Sequence, residues 1–202
     1  LALKVADNAL KDAGIQEGCN TAVLVAMGSE LALHQFRGRV NLDTQLNESF
    51  PDHSSGLSQE DRDHLINDIK SGVHGVAQVN QYTSFIGNIM ASRISSLWDF
   101  SGPSFSISSE ENSVFKALEI AGFMLSSKEV DAVVVAAVDL SGGFENVFLK
   151  NQINTLNSGH STLSFDINAS GWMIGEGAGA VVLKRRDHAV KEKCNIYSTL
   201  HS

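Results

Sequence analysis

A chain of 202 residues is long enough for one sizeable core or for one piece of a larger domain. Its net charge of −8 argues against nucleic acid or an anionic membrane as partner, and its longest apolar run, 132–138, is far below the roughly 20 residues of a membrane span. Cys19 and Cys194 are too few and too distant for a disulfide framework, and no CxxC pair suggests zinc, so a reducing cytoplasm fits best.

The chain opens on "LALKVADNALKDAGI", an amphipathic helix already under way, with Leu3, Val5, Ala6 and Leu10 on one side. With no leading strand before it, this opening is expected of a piece of a longer polypeptide. Gly14 and Gly18 then break the pattern, and "TAVLVAM" (21–27) reads as a buried strand. Residues 28–57 read as polar and irregular, with "FPDHSSG" a clear loop. "SQEDRDHLINDIKSG" reads as a helix capped by Ser58, with a solvated acidic face, ending near Gly72.

The stretch 84–100, "SFIGNIMASRISSLWDF", carries Ile86, Ile89, Met90, Ile94 and Leu97 at helical spacing. "SFSIS" follows as a short strand, 110–126 as a helix, and "DAVVVAAVDL" (131–140) as a continuous buried strand. After a polar helix or loop, "GWMIGEGAGAVVLKRR" (171–186) ends in a strand. Strands apolar throughout, alternating with helices, indicate a sheet covered on both faces. The expected class is α/β, layered α/β/α.

Three motifs invite a chemical reading. "GEGAGA" (175–180) has glycines, but a strand rather than a helix follows, so the dinucleotide reading is poor and a close backbone approach inside the sheet is expected instead. The histidines at 53, 64, 74 and 160 show no metal-ligand spacing. The turn from strand to helix at 108–113 remains: Ser108, Ser109, Glu110, Glu111, Asn112, Ser113. Such elbows suit nucleophiles, because a helix N-terminus favours negative charge and offers free N–H groups. The same residues also spell a capping box, Ser108-x-x-Glu111, which accounts for both glutamates without catalysis.

Four segments together resemble the β-ketoacyl synthases, condensing enzymes of the thiolase fold. "GNIMASRISSLWDFSGPS" is similar to that family's G-N-x-x-A-S-R-I-S segment leading to G-P-S. "SFDINASGWMIGEGAGAVVLKR" is similar to its F-D stretch ending in GEGAG and VVLKR. "ADNALKDAGI" and "DAVVVAAVDL" resemble its early helix and later core strand. The resemblance implies that 1–202 is the N-terminal portion of a ketosynthase-like domain, half of a five-layered αβαβα fold, without its first strand or C-terminal half.

By the same resemblance, the family's cysteine nucleophile falls on Glu111, with Glu110, Asn112 and Ser113 as neighbours. A carboxylate is a weak acyl acceptor and repels a malonyl carboxylate, so condensation is not expected. The resemblance points instead to a chain-length-factor-like domain of a bacterial polyunsaturated fatty acid synthase, active in partner pairing or acyl-chain positioning. The alternatives are a malonyl-thioester decarboxylase and a purely structural interaction module. Phe85, Phe115 and Phe123 are the candidates for the acyl tunnel or its closure, and Phe105 and Ile107 for a dimer interface. No cofactor is expected on the chain itself; substrates would arrive on the phosphopantetheine of an acyl carrier protein, and the domain would form a homo- or heterodimer with another synthase-like domain.

Overall fold

Thr21–Met27 is apolar on both sides, and a strand of that kind belongs inside a sheet. In the computed structural model, which describes residues 1–28, 42–49, 56, 58–74, 87–140, 142–157 and 166–200, it forms β1 and lies between two neighbours. On one side is β2 (Ser104–Ile107), parallel to it, with Val23 opposite Ser104. On the other is β3 (Ala132–Leu140), also parallel, with Val23 opposite Val134. The strand β4 (Glu176–Lys184) runs antiparallel on the far side of β3, giving the order β2-β1-β3-β4.

The period of two along β1 and β3 divides the core cleanly. Val23, Val25, Val134 and Ala136 face one way, against Ala6 and Leu10 of α1 (Ala2–Asp12) and Ala91 and Ile94 of α4 (Ile89–Leu97). Ala22, Leu24, Ala26, Val133 and Val135 face the other way, against Ala117, Ala121, Met124 and Leu125 of α5 (Ser113–Ser126). The expected α/β/α layering is therefore present, with α1 and α4 on one face and α5 on the other. Two further helices follow β3 and β4: α6 (Phe144–Ile153) and α7 (Arg186–Lys191).

The chain divides into two compact units, Leu1–Ser29 with Asn88–Ser202, and Glu30–Gly87. The second holds α2 (Leu42–Ser49) and α3 (Gln59–His74). The helix α2 corrects the reading of 28–57 as irregular: Leu42 and Leu46 stand one turn apart, and Leu46 is buried. The Ser58 cap of α3 is present, its Oγ accepting from the Asp61 N–H at 3.2 Å and donating to the Asp61 carboxylate at 2.6 Å.

Other boundaries also differ from the sequence reading. The helix expected over 84–100 occupies Ile89–Leu97, and Leu97 is 68% exposed rather than packed. Ile86 lies outside the described residues. In α1, Ala2 joins Ala6 and Leu10 in the core while Leu3 is exposed. Gly175, Gly177 and Gly179 are not sites of close approach, since a Cβ there would meet no atom within 4 Å. The physical reason is position: among the described residues β4 is an edge strand of alternating exposure, with no atom of those residues crowding the three glycines. The close approaches fall at Gly102, against Thr21, and at Gly171, against Thr155 and Leu156.

Polar contacts tie the ends of the strands. Asn20, just before β1, donates from Nδ2 to the Glu129 carbonyl at 2.9 Å, and its own carbonyl accepts from the Asp131 N–H at 2.9 Å. Arg185, between β4 and α7, donates to the carbonyls of Leu125 and Val130 at 3.1 and 3.0 Å. Lys184 donates to the exposed Glu192 carboxylate and holds its carboxyl below the usual carboxylate range, so that pair's contribution fades as pH falls through the depressed value.

A buried hydroxyl at the start of β1 is unsatisfied. Thr21 is fully buried, and its Oγ1 finds no hydrogen-bond partner among the described residues. A hydroxyl desolvated without a partner opposes folding, whereas valine fills nearly the same space without the polar atom. Thr21→Val is expected to raise stability by about 1–2 kcal/mol. Thermal unfolding checks this: an unchanged or lower midpoint would show that the hydroxyl is satisfied.

Candidate functional site

In open α/β sheets, functional groups gather beyond the carboxyl ends of the parallel strands. At that end β2 leads through Ser108 and Ser109 into a single 3-10 turn, Glu110–Asn112, and then into α5. The Asn112 N–H donates to the Ser109 carbonyl at 3.0 Å to close the turn. Glu110 has φ of 48°, in the left-handed region that non-glycine residues rarely enter. The side chains of Glu110, Glu111 and Asn112 are exposed, so two carboxylates stand at the positive end of α5.

The elbow is held by Ser113, which is buried. Its Oγ accepts from the Ser109 N–H at 2.9 Å and donates to the Glu110 carbonyl at 2.6 Å, with the Met27 carbonyl, at the end of β1, 3.4 Å away. A single hydroxyl thus fixes both sides of the left-handed residue. The capping box expected from Ser108 and Glu111 is not formed: neither the turn nor α5 carries a side-chain cap bond. The reversal of the backbone at Glu110 replaces the regular helical start that a box requires.

Ser113→Ala leaves the Ser109 N–H without its partner in a part-buried turn, and is expected to cost about 1–2 kcal/mol. Faster hydrogen exchange at the Ser109 amide, with a matching drop in melting temperature, checks it. Wild-type exchange there would place the lock elsewhere.

The other candidates are dispersed. Phe115 and Phe123 are 69% and 70% exposed on α5. Phe105 and Ile107 are half-buried on β2 and pack against the α5-side cluster. Phe85, His53 and His160 lie outside the described residues. His188 sits beside Arg185, next to the end of β4 that pairs with the start of β3, at the opposite end of the sheet from the elbow. Among the described residues, no group of His, Cys, Asp and Glu is placed to hold a metal ion. Residues 102–126 contain no cysteine, and both Cys19 and Cys194 are free thiols outside the elbow. Chemically, the elbow offers two solvated carboxylates, and the Ser113 hydroxyl is committed to the backbone.

Sequence reasoning placed Ser113 as a neighbour of Glu111 and missed its role. The available signal was spacing: Ser113, Ala117 and Ala121 recur every four residues along the face of α5 that packs on the sheet.

Comparison with known proteins gives the site its context. Residues 1–189 match the family described as beta-ketoacyl synthase, N-terminal domain. Over 199 residues, 98% of this chain, it is 40% identical to a polyunsaturated fatty acid synthase subunit from Thraustochytrium sp. (strain ATCC 26185 / S-3), covering 9% of that protein. A solved structure described as PfaC keto synthase-chain length factor is 52% identical, with a TM-score of 0.78, over 92% of this chain and 20% of its own. A type II polyketide ketosynthase solved with its acyl-carrier protein shares the fold at 19% identity, with a TM-score of 0.67, over 97% of this chain and 45% of its own. The chain thus spans a small part of the relatives it matches, and its sheet and helices are those of thiolase-like ketosynthases. It belongs to the β-ketoacyl synthase family and falls in that family's N-terminal domain.

Proposed function

We propose that this chain is the ketosynthase-like region of a polyunsaturated fatty acid synthase that works without a thiol nucleophile, pairing with another synthase-like domain and helping to position the growing acyl chain. The observation that carries this reading is the elbow. It lies at the carboxyl end of the parallel strands, where the family's resemblance puts the acyl-accepting cysteine, and it presents Glu110 and Glu111 to solvent. Condensation needs a soft thiolate that forms and releases a thioester. A solvated carboxylate does neither well, and it repels the carboxylate of a malonyl unit approaching the same helix end. The role left to such a domain is to bind and align. Its substrates would be acyl chains on the phosphopantetheine of an acyl carrier protein, and its setting the cytoplasm. The similarity to a protein described as a joined keto synthase and chain length factor supports the reading.

The test uses the full-length protein with malonyl-acyl carrier protein and an acyl donor, comparing wild type, Glu111→Cys and Glu111→Ala by intact mass and by carbon dioxide release. Wild type is expected to form no acyl adduct and to release no carbon dioxide. An adduct in Glu111→Cys alone would show that the rest of a condensing site surrounds this position. Carbon dioxide release by wild type that Glu111→Ala abolishes would make the domain a decarboxylase and overturn the proposal.

A further inference from the structure

The stretch "GEGAGA" carries a glutamate among its glycines, and the elbow makes no use of it. Glu176 opens β4 and stands opposite Leu140, the last residue of β3. Because β4 is antiparallel, its start lies at the carboxyl end of the parallel strands, the end that carries the elbow. Met27 joins the two places: it stands opposite Val138 of β3, and its carbonyl is 3.4 Å from the Ser113 Oγ. The connection from β3 to α6 thus leaves the sheet beside β1, the strand whose end the elbow touches.

The Glu176 side chain crosses back to that connection. Its Oε1 accepts from the Gly142 N–H at 3.1 Å. A Cβ at Gly142 would meet the same carboxylate, 2.8 Å from Oε1 and 2.9 Å from Cδ, so the side chain lies close against the glycine. The N-cap of α6, Gly143, has no side chain with which to hold the helix start, and its carbonyl accepts from the Val147 N–H at 3.0 Å. A carboxylate just before a helix N-terminus is also favoured by the helix dipole. The glutamate of the motif therefore fastens the start of α6. Leu140, before the connection, and Phe148, on α6, are exposed apolar side chains.

We propose that Glu176 is a positioning residue: it sets the course of the chain from β3 into α6 and so places Leu140 and Phe148 where the end of an acyl chain lies. This rests on the acyl-positioning role proposed above and names the part of the domain that meets the chain. Glu176 acts through the backbone of Gly142, while Leu140 and Phe148 supply the apolar surface that a hydrocarbon chain needs to leave water.

The test uses the full-length protein and an acyl carrier protein loaded with a long saturated acyl chain that ends in a diazirine. After irradiation, peptide mass spectrometry maps the crosslinks in wild type, Glu176→Ala, Glu176→Gln and Gly142→Ala. Wild type is expected to crosslink within 140–153. In Glu176→Ala that yield should fall roughly threefold or more, with little change in melting temperature because the lost bond is exposed. Gly142→Ala should fall likewise, since its Cβ pushes the carboxylate aside without removing the charge. Glutamine keeps an acceptor oxygen and should restore the wild-type yield. Wild-type crosslinks confined to other residues, or wild-type yields in both alanine variants, would overturn the assignment of Glu176 and leave acyl positioning standing. A glutamine variant that behaves as alanine would equally sink the role of the Gly142 bond. A wild type that crosslinks nowhere would remove the acyl-positioning reading and this proposal with it.

Discussion

Gly102→Ala is expected to cost at least about 3 kcal/mol and to leave the sheet-bearing unit largely unfolded at 37 °C. A Cβ at this position would lie 2.4 Å from the Thr21 carbonyl oxygen, 2.6 Å from its carbonyl carbon and 2.8 Å from the Ala22 nitrogen. All three atoms belong to the backbone of β1, which pairs on both sides and cannot move without breaking a ladder. The reason is purely steric, since Gly102 is not among the glycines with positive φ. Gly14→Ala supplies the contrast: φ there is 64° with open space around it, so its cost is conformational, about 1 kcal/mol. Denaturant unfolding of both variants checks the difference. A Gly102→Ala midpoint no lower than that of Gly14→Ala would show that β1 has room to yield.

The second large effect is expected at Arg185, whose side chain is only 16% exposed. Nη1 bridges the Leu125 carbonyl, in the last turn of α5, and the Val130 carbonyl. Nη2 faces the His188 ring at 3.2 Å and the Asp131 carboxylate at 3.7 Å. A guanidinium at a helix C-terminus gains from the dipole as well as from its bonds. Arg185→Ala takes a charged donor from both carbonyls, leaving that of Leu125 only its backbone contact with the Lys128 N–H at 3.3 Å, and is expected to cost about 2–4 kcal/mol. Lysine should recover less than half of this, because a point ammonium cannot span two carbonyls as a planar fork does. His188→Ala should change little. A lysine variant as stable as wild type would reduce the effect to charge alone.

The strands at 21–27 and 131–140 were legible because burial on both faces leaves an unbroken apolar run, which no surface element shows. The end of α4 was not. Asp99 takes a φ of 52° there, with the N–H of Asp99 bonded to Ser96 and that of Phe100 to Ser95, the same closing geometry that Gly14 gives α1. Without a glycine to mark it, the apolar spacing read on to residue 100. The elbow was found by its place between strand and helix, but its interior was misread. Ser108 and Glu111 satisfy a local pattern, whereas the actual lock depends on a backbone reversal at Glu110 that no side chain announces. The remaining fasteners lie beyond local reading altogether: Arg185 meets carbonyls 60 and 55 residues away. Glycine spacing in "GEGAGA" suggested crowding, and the edge position of β4 among the described strands explains why the described residues leave it open.

The apolar character of β1 on both faces has a cost for folding. A strand with one polar face is indexed by its own side chains, because a shift of one residue drives polar groups into the core. In β1 such a shift exchanges one apolar set for another, and burial barely distinguishes the two alignments. Discrimination falls to the pin at its start, where Asn20 meets Glu129 across 109 residues of sequence. That contact forms only after a very long loop has closed. The strand is therefore expected to collapse early and to align late, and sheets shifted along β1 are the natural trap on the way to the native state.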